Sequence, residues 1–421
     1  MEAACPARSS SQPRVAIVGA GAAGLVAAWR AASQGCRVTL LEANGRVGVK
    51  LRISGGGKCN ITHAGAVAEL LKSFPPAQAR FLRPAMHAFS NADVLEALRR
   101  EGVETLVRDN GRVFPVDGPG SAHKVADAFE TLARRAGVEL RLGARVLALE
   151  GACPRLQALV LAGGERITAD VFILATGGAS YPRTGTQGEF LGWLRALGVP
   201  VAPWFPALAP IPLRQPRPAW EGVALRDGSL TLRAGREGKV LAQFAGDVLF
   251  TRAGLTGPAA LELSGPAEAA RRQGAAWLSY ASATAAEADL DAGLRQEQQD
   301  NPHLAARTWL QRWLPERLCA PLLQSLGLAE DQRLKDLPRA GRKGLLGLVL
   351  ALPLGEPGSV DLERGEVCSG GVRLPAVEPR TMAVKGWDNL KVCGELLDVD
   401  GPVGGYNLQA AFSTGFAAGT I

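Results

Sequence analysis

The stretch that decides the fold is Arg14-Val-Ala-Ile-Val-Gly19-Ala-Gly21-Ala-Ala-Gly24. Its first five residues form a short apolar run that predicts a buried parallel strand. A helix pattern follows the glycines to about Ser33, and residues 37–41 predict a second strand that ends in Glu42. A glycine-rich turn between a strand and a helix leaves backbone N–H groups free to bind phosphate. The sequence therefore predicts a Rossmann-type βαβ unit with a dinucleotide site.

Each residue of this turn has a separate predicted task. Gly19 allows the tight turn, Gly21 lets the backbone approach a pyrophosphate, and Gly24 lets the helix pack on the strand. The helix N-terminus at Ala22 and Ala23 supplies N–H groups and a partial positive charge. Glu42 is expected to accept hydrogen bonds from the adenosine ribose hydroxyls. The same carboxylate would repel a 2′-phosphate, which argues against NADP at this site.

A second glycine-rich stretch, residues 45–62, favours FAD over NAD. We interpret it as a long loop, because an NAD dehydrogenase would normally continue with another βα unit here. Three consecutive glycines let the backbone lie against a flat ring or a diphosphate. Cys59 within this loop is interpreted as a buried structural thiol rather than a nucleophile. Arg46, Lys50, Arg52 and Lys58 are expected to offer positive charge to phosphates, and Asn60 to face the flavin edge. The predicted cofactor contacts around this loop are Ala43, Arg46, Lys50, Ser54, Gly55, Gly56, Gly57 and Asn60.

Two distant segments complete the predicted site. An apolar strand at 170–174 runs into Ala-Thr-Gly-Gly, and a strand at 390–393 ends in Gly-Glu before the last helix opens at Tyr406. Glu395 is expected to face the ribityl hydroxyls. The N-terminus of the last helix is expected to stabilise negative charge at the flavin N1 and O2 edge. These segments, with a backbone contact to adenine, add Val146, Thr176, Gly177, Gly394, Glu395, Asn407 and Leu408 to the predicted contacts.

Together these motifs resemble the flavoprotein family that includes aminoacetone-oxidase-like and bile-acid-dehydrogenase-like enzymes. The resemblance implies FAD and an oxidoreductase, without implying a single substrate. Within the segment Phe250–Pro258, Arg252 stands where the family frequently has His, so no proton-transfer role is carried over. The matching segments are Gly19–Gly24, Ser54–Asn60, Ala175–Gly178, Cys393–Asp398 and Gly404–Gln409.

The predicted fold is α/β, with a discontinuous, glutathione-reductase-like FAD-binding domain. Its two parts cover residues 13–193 and 366–421. Between them we expect a mainly β substrate-side domain at 194–285 and a helical subdomain at 286–365. The loop after Gly178 offers Ser180, Tyr181 and Arg183 as substrate contacts, with ordinary turn chemistry as the equal alternative.

Composition narrows the class of protein. The 421 residues are 47% hydrophobic and carry a formal net charge of +7. Seven cysteines without a CxxC and four dispersed histidines predict no disulfide framework and no metal site. No signal core or membrane span is evident, so we expect a cytoplasmic protein. No stripe of basic and aromatic side chains accompanies the positive charge, which argues against a nucleic-acid partner.

The predicted function is hydride transfer between a small organic substrate and flavin N5. With no second G-x-G-x-x-G in the chain, the other partner is either transient NAD(P)H or oxygen. No catalytic acid or base is assigned. Two alternatives stay open: a flavin-dependent RNA-modifying enzyme, suggested by the charge alone, and a non-catalytic flavin-bound sensor.

Overall fold

The computed structural model describes residues 12–116, 120–282 and 287–421. The chain folds into two compact units. The first unit takes the chain up to Phe205 and again from Glu366 to Ile421, and the inserted unit is Pro206–Gly365. The further division of the insertion into a β domain and a helical subdomain stays a prediction.

The described residues form strands and helices in the following chain order. The strands are β1 Arg14–Val18, β2 Arg37–Leu41, β3 Thr62–His63, β4 Thr105–Val107, β5 Arg112–Pro115, β6 Glu139–Arg141, β7 Val146–Ala152, β8 Arg155–Leu161, β9 Arg166–Ile167, β10 Val171–Leu174, β11 Val201–Ala207, β12 Ile211–Pro212, β13 Ala224–Leu225, β14 Gly228–Arg233, β15 Val240–Ala245, β16 Val248–Phe250, β17 Gly254–Thr256, β18 Trp277–Ser282, β19 Leu352–Gly355, β20 Val367–Val372 and β21 Leu390–Val392. The helices are α1 Ala22–Ser33, α2 Val49–Gly57, α3 Val67–Lys72, α4 Pro76–Ala88, α5 Asn91–Arg100, α6 Ala122–Arg135, α7 Glu189–Ala196, α8 Pro258–Gln273, α9 Glu287–Asp300, α10 Ala306–Leu310, α11 Glu316–Ser325, α12 Arg339–Leu350 and α13 Tyr406–Gly419.

A five-stranded parallel sheet organises the first unit, in the order β21-β10-β1-β2-β6. Ile17 of the central strand pairs with Ile173 of β10 and Leu40 of β2, and all three side chains are buried. Such continuous burial is typical of parallel strands covered on both faces. The predicted β1-α1-β2 unit and the α/β Rossmann fold are confirmed. The chain also re-enters this sheet after the insertion, since β21 pairs with β10.

Helices α1 and α13 approach each other closely through glycine. A Cβ atom at Gly415 would overlap the carbonyl oxygen of Ala23, and one at Gly419 would overlap that of Ala27. The absence of a side chain at both glycines therefore lets the two backbones touch. This contact fixes the last helix against the helix that opens the predicted nucleotide site.

The prediction of a loop throughout residues 45–62 was wrong in part, because α2 occupies Val49–Gly57. Leu51 is buried, and the buried Arg52 donates to the Val47 carbonyl at 2.9 Å and to Asp127 of α6 at 2.6 Å. These contacts stabilise the helical turn at residues 49–53, which contains no glycine. Arg52 is therefore not available to a phosphate, contrary to its predicted role. Helical backbone ends at Ser54, and the glycines after it have a left-handed conformation.

The inserted unit contains two antiparallel sheets, ordered β12-β17-β16-β13 and β15-β14-β18-β19. Helix α8 packs on β14 and β15, and α9 to α12 follow in the helical region. Trp309 is buried in the core of this unit. Within the described ranges, no helix has the length and apolar character needed to cross a bilayer.

Candidate cofactor site

The glycines of the opening turn face different surroundings. A Cβ at Gly19 would lie 2.5 Å from the Ala175 carbonyl oxygen, and one at Gly24 would overlap the Gly19 carbonyl. A Cβ at Gly21 would meet no atom of the described chain within 4 Å. Two glycines are thus required by packing, whereas the middle one borders open space where the sequence predicted the pyrophosphate.

The N-terminus of α1 faces that space without a side-chain cap. Gly21 is the N-cap residue, no side chain bonds the first turn, and no acidic residue lies in it. The first N–H groups of a helix need an acceptor and carry the positive end of its dipole. Ala22 and Ala23 therefore present backbone donors suited to a diphosphate.

Glu42 ends β2 as predicted and is buried. Its Oε2 accepts the Ala20 N–H at 2.8 Å, and its Oε1 accepts the N–H and the side-chain amide of Asn44 at 2.8 and 2.7 Å. An ionised carboxylate has about four acceptor positions. The bonds shown leave one, on Oε2, for a ribose hydroxyl. Ala43 lies between the buried Glu42 and the half-buried Asn44.

Val146 is brought to the same end of the sheet by its neighbours. The Ala144 N–H donates to the Glu42 carbonyl at 2.8 Å, and the Gly143 N–H donates to the Asn44 carbonyl at 3.0 Å. Val146 then begins β7 and is buried. The predicted adenine contact and the predicted ribose contact are therefore neighbours.

The Ala175-Thr176-Gly177 segment, which follows β10, places a buried hydroxyl beside the opening turn. The Ala175 N–H donates to the Val18 carbonyl at 2.9 Å, so Thr176 follows directly next to Gly19. Thr176 Oγ1 is buried and has no hydrogen-bond partner in the described chain. Leaving such a group unpaired costs about 1–3 kcal/mol. This orphaned hydroxyl fits a site that a polar ligand completes.

An ion pair joins the glycine-rich segment to the strand end after β21. Lys50 Nζ lies 2.7 Å from Glu395 Oε2 and 2.6 Å from Ser180 Oγ. Glu395 Oε1 also accepts the Cys368 N–H at 3.1 Å. The predicted phosphate cation is thus paired with the predicted ribityl carboxylate. Gly177 borders the same carboxylate, since a Cβ there would lie 3.9 Å from it.

Sequence reasoning missed Cys368 in this cluster. It belongs to the apolar β20, and no local motif marks it. Burial, reinforced by the Glu395 carboxylate, raises the pKa of the Cys368 thiol to about 12. Burial also raises the pKa of Cys59 to about 12. Both cysteines are therefore neutral thiols at physiological pH, which supports the interpretation of Cys59 as a structural residue.

The glycine-rich segment meets the last helix. Ser54 Oγ donates to the Leu51 carbonyl at 2.7 Å, and Gly55, Gly56 and Gly57 have φ values of +57°, +65° and +81°. Asn60, oriented so that both amide groups are satisfied, accepts the Gly405 N–H at 3.1 Å. Gly405 is the N-cap of α13 and provides no side chain there.

The start of α13 is held by Asn407. Its side-chain amide accepts the Gly401 N–H and donates to the Gly401 carbonyl, both at 2.7 Å. This leaves the first backbone N–H groups of the helix without a side-chain acceptor. Leu408 packs against the main core, and the Gly394 N–H donates to Thr414 Oγ1 at 3.0 Å. Arg46 stands apart, exposed and without an ion pair among the described residues.

The chain matches a known protein family over nearly its whole length. The model of the HI0933-like protein Rossmann domain matches residues 13–421. The chain belongs to this family. The family is one of FAD-dependent oxidoreductases, so the predicted resemblance and the coarse functional class are confirmed.

Two curated relatives match nearly the whole chain. The 3-dehydro-bile acid delta(4,6)-reductase of Clostridium scindens is 29% identical over 418 residues, 96% of this chain and 98% of the relative. The ribosomal RNA dihydrouridine synthase of Escherichia coli is 28% identical over 401 residues, 95% of this chain and 96% of the relative.

Solved structures agree on the fold. A 3-ketosteroid delta1-dehydrogenase from Sterolibacterium denitrificans matches with a TM-score of 0.53 and 13% identity, covering 97% of this chain and 99% of that one. A quinol-fumarate reductase matches with a TM-score of 0.50 and 14% identity, covering 97% and 70%. At these identities the likeness concerns the fold alone.

The residues present fit FAD, the cofactor of the family. The open face of Gly21, the uncapped start of α1 and the orphaned Thr176 hydroxyl all suit an anionic dinucleotide. Among the described residues, no group of three His, Cys, Asp or Glu side chains is arranged to hold a metal ion.

Proposed function

We propose that this protein is an FAD-dependent reductase that saturates a carbon–carbon double bond conjugated to a carbonyl group. One relative is named for the Δ4,6 bonds of a 3-oxo bile acid and the other for dihydrouridine in ribosomal RNA. The Δ4 bond of a 3-oxosteroid and the C5–C6 bond of uridine are both conjugated to a carbonyl. The chemistry that the two names share therefore defines the proposed substrate class.

Different residues of the chain would bind different parts of the cofactor. Ala22 and Ala23 would bind the diphosphate, and Glu42 the adenosine ribose. Glu395 would bind the ribityl chain, and the N-terminus of α13 would face the N1 and O2 edge. When bound, flavin supplies the hydride donor of the reaction. The positive end of the α13 helix dipole would stabilise negative charge at that edge.

The convergence of segments that are distant in sequence supports the cofactor site on which this proposal depends. Ala175 packs on Gly19, Lys50 pairs with Glu395, and Asn60 bonds Gly405. The Gly48 N–H also donates to the Ala20 carbonyl at 2.8 Å, so the opening turn, the glycine-rich segment and the last helix are joined within the first unit. This arrangement supports one continuous binding site for an extended dinucleotide.

A second candidate keeps the same chemistry but acts on uridine within RNA. Arg46, Lys58 and Arg183 are exposed and have no acidic partner among the described residues. All three belong to segments that flank the predicted cofactor site. Cations in such positions would bind phosphates of a polynucleotide with an affinity that falls steeply with salt.

Anaerobic flavin absorbance tests the proposal. We expect NADH or NADPH to bleach the purified yellow protein, and a Δ4,6-3-oxosteroid to restore the colour. Restoration by a uridine-containing ribosomal RNA transcript, lost at high salt, selects the second candidate. Bleaching by an amine, with no recovery on adding either acceptor, would identify an oxidase and overturn the reductase proposal. A protein inert to donors and acceptors alike would support the sensor alternative.

A further inference from the structure

Tyr181 has an unusual backbone conformation close to the predicted cofactor site. Its φ and ψ are +52° and +62°, in the left-handed region. A bulky side chain rarely adopts this region. Tyr181 also precedes Pro182, and a residue before proline prefers extended backbone. This backbone conformation is therefore energetically unfavourable for two separate reasons.

The neighbours of Tyr181 fix this conformation from both sides. Ser180 is fully buried and bonds Lys50 at 2.6 Å. On the other side, the Tyr181 carbonyl accepts the Thr184 N–H at 2.8 Å and the Thr184 hydroxyl at 2.7 Å. Strain that persists because its surroundings enforce it is concentrated at functional positions.

The enforced backbone leaves the phenol accessible. The Tyr181 side chain is 36% exposed, and its hydroxyl makes no hydrogen bond within the described ranges. Partial burial raises the pKa of Tyr181, the charge of Glu366 raises it further, and Lys50 opposes the shift. The phenol therefore keeps its proton at neutral pH and has a proton to give.

The other hydroxyl and thiol groups near Lys50 are less suited to meet a substrate. Ser180 and Cys368 are both fully buried. Lys50 is engaged by Glu395 and Ser180. Among the hydroxyl and thiol groups around Lys50, Tyr181 is the one that is both accessible and unpaired in the described chain.

We propose that Tyr181 is the proton donor of the reduction, which rests on the proposed function. The β-carbon of the conjugated substrate receives a hydride, and its α-carbon receives the phenolic proton of Tyr181. The carbon–carbon π bond breaks, two C–H bonds form, and the phenolate regains a proton from water. The two electrons come from a reduced nicotinamide through the bound cofactor, which returns to its oxidised form.

Tyr181→Phe separates proton donation from cofactor binding. The matched control is Tyr280→Phe in the inserted unit, where the phenol donates to the Arg226 carbonyl at 2.8 Å. For Tyr181→Phe we expect bleaching by NADH or NADPH at a rate within twofold of the wild type. Recovery with a Δ4,6-3-oxosteroid should slow by about 100-fold or more, a typical loss for a missing general acid. Tyr280→Phe should leave both rates unchanged.

A second readout does not depend on turnover. Phenol ionisation in the oxidised holoprotein is followed at 295 nm, with and without a saturated 3-oxosteroid that cannot be reduced. Covering the Tyr181 phenol with this ligand should raise its ionisation midpoint, because desolvation disfavours the phenolate. The shift should be absent in Tyr181→Phe and present in Tyr280→Phe.

The outcomes distinguish this inference from the proposed function. If the wild type recovers its colour with the steroid and Tyr181→Phe does so equally fast, Tyr181 is not the donor and the proposed function stands. An unchanged ionisation midpoint on ligand binding to the wild type likewise excludes Tyr181 from the substrate site. If no conjugated carbonyl compound reoxidises the wild type, both proposals fail together.

Discussion

Lys50 Nζ lies 2.7 Å from Glu395 Oε2, although the two residues are 345 positions apart in the chain. The side chains are only 31% and 18% exposed, so solvent screens the pair less than an ordinary surface ion pair. The contact ties the segment after β2 to the segment after β21. It therefore couples the two sequence-distant halves of the predicted cofactor site.

A double-mutant cycle should detect this coupling. Lys50→Met and Glu395→Gln should each lower the free energy of unfolding by about 1–3 kcal/mol, because each leaves a partly buried polar group without its partner. The double variant should lose less than the sum, with a coupling energy of about 1–2 kcal/mol. Urea unfolding of the apoprotein supplies all four values.

The exposed pair Lys72–Glu69 is the matched control, with side chains 72% and 63% exposed. Its coupling energy should stay below about 0.5 kcal/mol. Equal coupling in the two cycles would show that the Lys50–Glu395 pair behaves like an ordinary surface contact.

Gly21→Val should abolish FAD retention while preserving the fold. The valine side chain would fill the open space at the start of α1, and no atom of the described residues lies within 4 Å of its Cβ position to be displaced. We expect loss of flavin absorbance after gel filtration, with an unchanged far-ultraviolet circular dichroism spectrum. Gly192→Val, at an exposed helical glycine with open surroundings, should retain flavin. Normal flavin content in Gly21→Val would contradict the placement of the diphosphate.

Two helical glycines should respond to alanine in opposite directions. Gly415→Ala would push a methyl group into the Ala23 carbonyl and lower the free energy of unfolding by about 1–3 kcal/mol. Gly293→Ala in α9 meets open space and should be neutral or stabilise by up to about 1 kcal/mol. Thermal unfolding compares the two variants. A neutral Gly415→Ala would mean that α1 and α13 are not held in direct backbone contact.

Lys391 should make stability rise with pH in the alkaline range. Burial lowers the pKa of its amine from 10.5 to about 8, with the Cys393 and Cys36 thiols opposing the shift. Between pH 8 and 10.5 the unfolded chain then binds more protons at this residue, so this group's contribution to the free energy of unfolding increases with pH. Lys391→Met removes that contribution. The difference in unfolding free energy between the wild type and Lys391→Met should therefore shift in favour of the wild type from pH 7.5 to 10, and a constant difference would refute the prediction.

The opening unit was predictable because its signals are local. Strand, glycines, helix and Glu42 follow one another within 29 residues, and each signal acts through the backbone of its own segment. Helix α2 was missed because glycines flank its helical residues 49–53, which are stabilised by the burial of Leu51 and by the Arg52–Asp127 bond. These contacts involve residues of α6, which the local pattern does not report.

The sequence also could not predict which partner each charged residue would have. Arg46 and Lys50 are both cations in one glycine-rich segment, and the sequence assigned both to phosphates. The structure leaves Arg46 exposed and pairs Lys50 with Glu395. Which cation finds a carboxylate depends on the return of the chain after the insertion, and residue type alone carries no information about it.

That return has a consequence for synthesis on the ribosome. Strand β21 pairs with β10, and α13 covers α1, so the opening βαβ unit emerges long before its permanent neighbours. At 5–20 residues per second, the interval between Leu174 and Leu390 is on the order of ten seconds or more. During that time the α1 surface lacks the helix that later covers it, and the predicted cofactor site lacks Glu395 and the start of α13.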